Sequence, residues 1–312
     1  MIKSIRISVT SALLVMSYGS IALESSLGVK DLPKLTQESQ HVASAKRVTS
    51  QFLRAHYKPI DLDDELSVKI FDRFIRSIDF NHNVFTAEDI QVFSVYKNKF
   101  DDSIERGNLS IAYEIYQLNM QRRTERYEYA LTLLDKEFNY ELANDTFIYD
   151  REDAAWAKNN KELDELWRQR VKYDALNLKL AGKDWPKIQE LLTKRYERAI
   201  KRLTQTSSED VFQTVMNSFA RSIEAHTSYL SPRNAERFQM EMNLSFEGIG
   251  AVLLSEDDFT TIRSVVPGGP ADLSNNIKPE DKIVGVAQDN EEFVDVIGWR
   301  LDEVVELIKG PK

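Results

Sequence analysis

The stretch NLSFEGIGAVLL, Asn243 to Leu254, sets Gly248-Ile249-Gly250 directly before the apolar run Ala251 to Leu254. Glycines let several backbone N–H groups turn to one side, and such a group of amides holds an anion. A dinucleotide loop needs a third glycine, but Leu253 stands in its place and no helical pattern follows. The Walker pattern is missing too, so phosphate is the wrong anion for this turn. A terminal carboxylate fits better. The turn's amides donate to it, and the peptide adds as a strand to the sheet edge. On that reading Gly248, Ile249, Gly250 and Ala251 form the turn, and Val252, Leu253 and Leu254 form the edge strand. Glu247 adjoins the turn and weakens carboxylate binding unless its side chain points away. An ordinary glycine hairpin fits the pattern equally well.

The surroundings sharpen the reading. After Leu244, short β-rich runs appear as GAVLL, TTIRSVV and KIVGVA, each bounded by Gly, Pro, Asp or Asn. The segment WRLDEVVELIKG then places Leu301, Val304, Val305 and Ile308 on one helical face, with Gly310 as its stop and Pro311 beyond. That face is the candidate wall of an apolar slot beside the strand.

Upstream, from roughly Leu35 to Glu241, the pattern is helical. Leu66, Ile70, Phe74 and Ile78 recur at spacing four, with Phe71 and Ile75 widening the stripe. A long amphipathic helix is expected from Leu109 to Phe138, and another begins near Asp150 with Trp156, Leu163, Leu166 and Trp167. Two more open at Asp184, with Pro186 in the first turn, and after Ser207-Ser208-Glu209-Asp210. The expected fold class is α+β: a signal peptide over 1–22, a mainly helical domain over 23–241, and an incomplete β-barrel or sandwich domain over 242–312.

Composition bounds the function. The 312 residues suffice for about two domains. With 50 acidic against 41 basic residues the net charge is −9, which argues against nucleic acid as a partner. The densest basic cluster, Arg122, Arg123 and Arg126, is interleaved with Glu125 and Glu128 and reads as a solvated helix face. With no cysteine, disulfides, thiolate catalysis and Cys-based zinc sites are excluded. Lys3 and Arg6 precede an uncharged run from Ile7 to Ala22, and Ser20 and Ala22 occupy the −3 and −1 positions of a cleavage site. A signal peptide and export follow, and no later segment approaches the ~18 apolar residues that span a bilayer.

Other candidate sites fail. Asp79, Asn81 and Asn83 start like a calcium loop, but Val84 and Ile90 replace its Gly and bidentate Glu. His41, His56, His82 and His226 lie far apart without a metal-binding spacing, and each is expected to cap or pack.

FEGIGAVLL, VVPGGPADLS, IKPEDKIVGVA and LDEVVELIKGPK, in this order, resemble the PDZ domain of carboxyl-terminal processing proteases. HTSYLSP, His226 to Pro232, resembles the segment before that domain, and DDELSVKIFDRFIRSIDFNHNVF resembles the helical N-terminal domain of the tail-specific protease branch. The resemblance implies a periplasmic serine endopeptidase that recognises apolar C-terminal tails, uses a Ser–Lys dyad and needs no metal or cofactor. It also implies an adaptor lipoprotein as a partner of the helical domain. In the family the dyad lies downstream of the PDZ domain. No residue here matches it, and Ser207, Ser208 and Ser228 are assigned no catalysis. The chain therefore reads as a recognition part with a C-terminally truncated PDZ domain; the alternative is a non-catalytic periplasmic adaptor that binds C-terminal peptides.

Overall fold

The computed structural model describes residues 27–141, 145–242, 248–256, 259–288 and 293–309. The expected signal peptide, Glu247 and the Gly310-Pro311 helix stop lie outside them. Two compact units result, one ending at Ser231 and the other running on from Pro232.

The first unit is helical: α1 (Ser39–Ala55), α2 (Asp64–Ile78), α3 (Ala87–Ser94), α4 (Phe100–Arg106), α5 (Ser110–Thr132), α6 (Asn160–Leu180), α7 (Trp185–Thr204) and α8 (Ser208–Ile223). Local sequence explains the starts. The Asp63 carboxylate accepts from the Leu66 N–H at 2.9 Å and opens α2, Asp184 caps α7 through Lys187, and Ser207 and Asp210 form a capping box at α8. The stripe of Leu66, Ile70, Phe71, Phe74, Ile75 and Ile78 is buried, and α2 packs on α8. Phe74, Phe100, Phe212 and Phe219 belong to one core. Trp167, Leu163, Ile188, Leu192 and Tyr196 belong to a second, and α5 reaches both through Met120 and Ala130.

Three helical expectations need correction. The third helix begins at Asn160, not near Asp150. Before it the chain runs as a strap, because Trp156 stacks on His82 at 3.7 Å and donates its Nε1–H to Asp79, while Ala157 bridges to Thr86. These contacts are long-range, and a helix would break them. The helix from Leu109 stops at Thr132 and tightens into a 3-10 turn over Leu133–Asp135, leaving Phe138 outside it. The arginine cluster is not a solvated face either. Arg126 is 8% exposed and pairs with Asp164, Arg122 pairs with Asp89 and Glu125, and Arg123 donates to the Ile78 carbonyl.

The rejected calcium loop has a structural use. The buried Asp79 carboxylate accepts from the N–H groups of Asn83, Val84 and Phe85 at 2.9, 3.1 and 3.0 Å, turning the chain after α2. His41 packs flat on Phe212 at 4.5 Å and His226 pairs with Glu224.

The second unit contains α9 (Pro232–Met242), β1 (Ala251–Glu256), β2 (Phe259–Val265), α10 (Pro270–Ser274), β3 (Lys282–Ile283), β4 (Gly285–Val286), β5 (Val294–Asp295) and α11 (Leu301–Lys309). The strands β1, β2 and β3 form one antiparallel sheet in that order, and β4 pairs with β5 in another. The single strand expected from KIVGVA is thus two short ones in different sheets. The core is Ile249, Ile262, Ile283, Val286, Val296, Val304 and Ile308. The chain is α+β, as the change of texture after Leu244 predicts.

Candidate peptide-binding groove

The turn before β1 owes its shape to a second turn, Val266 to Ala271. The Ile249 carbonyl accepts from the Ala271 N–H and the Gly250 carbonyl from the Val266 N–H, both at 2.8 Å. Gly250 has φ of 73° and backs onto Gly269, so a Cβ on it would stand 3.1 Å from the Gly269 Cα. Only glycine suits a left-handed position this crowded. With both carbonyls held inward, the N–H groups of Gly248, Ile249 and Gly250 donate to nothing among the described residues. Backbone amides left open on a turn are the chemical requirement for an anion cradle.

Among the described residues β1 pairs with β2 alone, so its other edge offers unpaired backbone groups for strand addition. A register shift between Val252 and Leu253 interrupts the alternation of faces. Val252 is 45% exposed, whereas Ala251 and Leu253 are partly buried against the core. The helix α11 packs against both β1 and β4. Strand and helix from the sequence reading are therefore neighbours.

The four residues of the expected wall divide. Val304 and Ile308, 0% and 5% exposed, belong to the core of the unit, and Leu301 and Val305 are half-buried. A single apolar stripe here has a core side and an outer margin. Ile249, at 8% exposed, is likewise a core residue whose amide, not its side chain, is available.

The polar support of α11 was not foreseen. Arg233 of α9 pairs with Asp302 and, at 2.6 Å, with Glu306. Burial raises the Asp302 carboxyl, but the charges of Arg300 and Arg233 outweigh it and hold the group below the usual carboxylate range. The sequence signal was slight: one arginine in a polar helix, sixty-nine residues from its partner. The Val266–Ala271 turn is the scaffold of the first glycine turn, a pairing that neither glycine motif discloses by itself. HTSYLSP is pinned to α8, where Asn217 donates to the Tyr229 carbonyl and accepts from its N–H, each at 3.0 Å.

A strand edge and a glycine turn whose amides are open among the described residues, with an adjoining helix, define a PDZ-type domain, here preceded in the chain by a helical domain. Comparison with known proteins agrees. The family described as tail specific protease N-terminal domain matches residues 48–233, and the PDZ domain family matches 237–312. The tail-specific protease of Haemophilus influenzae is 48% identical over 296 residues, covering 94% of this chain and 42% of that protein. The carboxy-terminal processing protease CtpA of Bacillus subtilis is 30% identical over 123 residues, 39% of this chain and 25% of that protein. A peptide-bound PDZ domain of a carboxy-terminal protease from Vibrio cholerae is 64% identical over 21% of this chain and 67% of that one, with a TM-score of 0.21. The chain belongs to the tail-specific protease family, and it spans less than half the length of these two relatives.

Proposed function

We propose that the chain is the substrate-recognition part of a periplasmic, serine-type tail-specific endopeptidase, and that it takes hold of apolar C-terminal tails of proteins. The observation that carries this reading is the set of N–H groups at Gly248, Ile249 and Gly250, open among the described residues while the carbonyls of Ile249 and Gly250 are fixed inward. A terminal carboxylate would accept from these amides. The peptide would extend along β1 through Ala251, Val252 and Leu253, and its last apolar side chains would meet Leu301 and Val305. Val304 and Ile308 would hold the helix in place beneath. Family membership supports the protease context, and the charge pattern of residues 1–22 supports export. A Ser–Lys dyad elsewhere in such an enzyme would cut the captured tail, and an adaptor lipoprotein would dock on the helical unit.

The test is a titration followed by anisotropy, using a labelled peptide with apolar last residues and the same peptide ending in an amide. The carboxylate form is expected to bind at least about tenfold more tightly, the worth of a charge-assisted hydrogen bond or two. Equal affinity for the two peptides overturns the reading.

A further inference from the structure

The helical unit holds a cavity of about 290 Å³ in which the chain's overall charge is reversed. Four arginines line it: Arg151 from the strap, Arg170 from α6, and Arg195 and Arg202 from α7. Asp174 is the one acidic side chain in the lining, in a protein whose net charge is −9. That carboxylate is already engaged, 3.6 Å from Arg195 and accepting from the Tyr196 hydroxyl at 3.3 Å. Burial first, and the Asp174 charge second, push the Tyr196 phenol far up, so it adds no negative charge. Arg151, Arg170 and Arg202 have no carboxylate partner among the described residues, and the buried Nε of Arg151 has no acceptor. Positive charge gathered in a concave, partly desolvated site is costly unless an anion answers it.

Five aromatic rings make up much of the remaining wall, with Asn81, Asn83, Leu166 and Ala199 completing it. Phe147 and Tyr149 both lie against Tyr173, with ring centroids 5.3 and 6.1 Å away, and Tyr127 stacks on Tyr196 at 6.1 Å. Arg170 lies over the Trp167 ring at 4.6 Å, which fixes its guanidinium plane. Planar guanidinium groups match the two oxygens of a carboxylate or phosphate, and flanking rings accept a flat body. The volume, at the lower limit for small-molecule sites, suits one ring with its charged group rather than a folded segment.

We propose that this cavity binds a small oxyanion, a carboxylate or a phosphate, carried on an aromatic or similarly flat group. The site stands apart from the tail-binding reading and rests on none of its residues.

Calorimetric titration of the whole chain with phenyl phosphate and, separately, benzoate tests it. Saturable binding by either is expected, and the better ligand identifies which oxyanion the site takes. Arg202→Gln, a change at an exposed residue, should weaken binding about tenfold. Asp174→Asn keeps an acceptor for Tyr196 but removes the charge that competes for Arg195, so it should tighten binding. These opposite signs separate a ligand site from a structural role, which neither change would reveal in this way. Absence of saturable binding by both compounds overturns the proposal. So does an Arg202→Gln chain that binds as well as the parent, or an Asp174→Asn chain that binds no tighter.

Discussion

The two units are built to different depths. Among the described residues the helical unit holds two clusters of twenty-two and eleven buried residues, the first rich in Phe and the second built around Trp167, whereas the second unit gathers seven, all Ile or Val. Each large aromatic removes more surface from water than a Val, so the described cores of the helical unit bury more apolar surface than that of the second. That difference suits their parts. If the second unit captures tails as proposed, it must keep a strand edge and the amides of its glycine turn open, and groups left open cannot contribute to its stability. Rigid helices upstream carry no such cost.

The largest expected effect comes from Val304→Asp. Val304 is fully buried at the centre of the small core, and a carboxylate there has no partner, costing at least about 4 kcal/mol. Thermal unfolding followed by separate probes in each unit should lose the transition of the second unit and keep that of the helical one. Simultaneous collapse of both would break the contrast. Next comes Gly250→Ala, which places a Cβ 3.1 Å from Gly269 in a left-handed backbone and should cost about 2 kcal/mol, confined to the same unit.

A smaller effect is expected in the helical unit from Asp145→Asn. Arg168 contacts Asp145 through two hydrogen bonds of 3.0 and 2.6 Å, and Lys172 adds a third at 2.6 Å. These bonds, those of Arg168 first, hold the carboxyl well below the usual range. A depressed folded pKa gives stability that is fully present above the unfolded carboxylate value and is lost as pH falls through the folded one. At neutral pH the substitution should cost about 1.5 kcal/mol, the worth of charged hydrogen bonds at a part-exposed site. The gap between parent and variant should begin to narrow below about pH 4 and close only as pH falls through the depressed folded value, measured by urea unfolding across pH. A gap that stays constant in acid would show that Asp145 acts by shape alone.

What could be read from the chain depended on the range of the forces involved. The stripe through Leu66, Ile70 and Phe74 and the caps at Asp184 and Ser207 are local, and they place α2, α7 and α8 directly. Trp156 looked helical because its spacing to Leu163 is seven, yet its partners, His82 and Asp79, lie more than seventy residues away. The glycine turn was visible, but its cause was not: the contact of Gly250 with Gly269 exists only once two loops meet. Periodicity put Leu301, Val304, Val305 and Ile308 on one face and could not tell its core side from its margin, because both are apolar.

That margin supports the smallest stability effect and the sharpest test of the comparison. Val305 is only half-buried on α11, one residue from the fully buried Val304. An aspartate at position 305 can keep its charge in water, so Val305→Asp should change stability by no more than about 0.5 kcal/mol. For an incoming apolar side chain, however, the same carboxylate would be a desolvated charge on the wall, and it would repel the peptide's own terminal carboxylate. Tail affinity should therefore fall about tenfold or more while the unfolding transition stays in place. Val304→Asp loses binding by losing the fold; Val305→Asp should lose it with the fold intact. If the Val305→Asp chain is equally stable and binds the carboxylate-ended peptide as the parent does, Val305 is no part of the wall, and the tail must lie along β1 without touching this margin of α11.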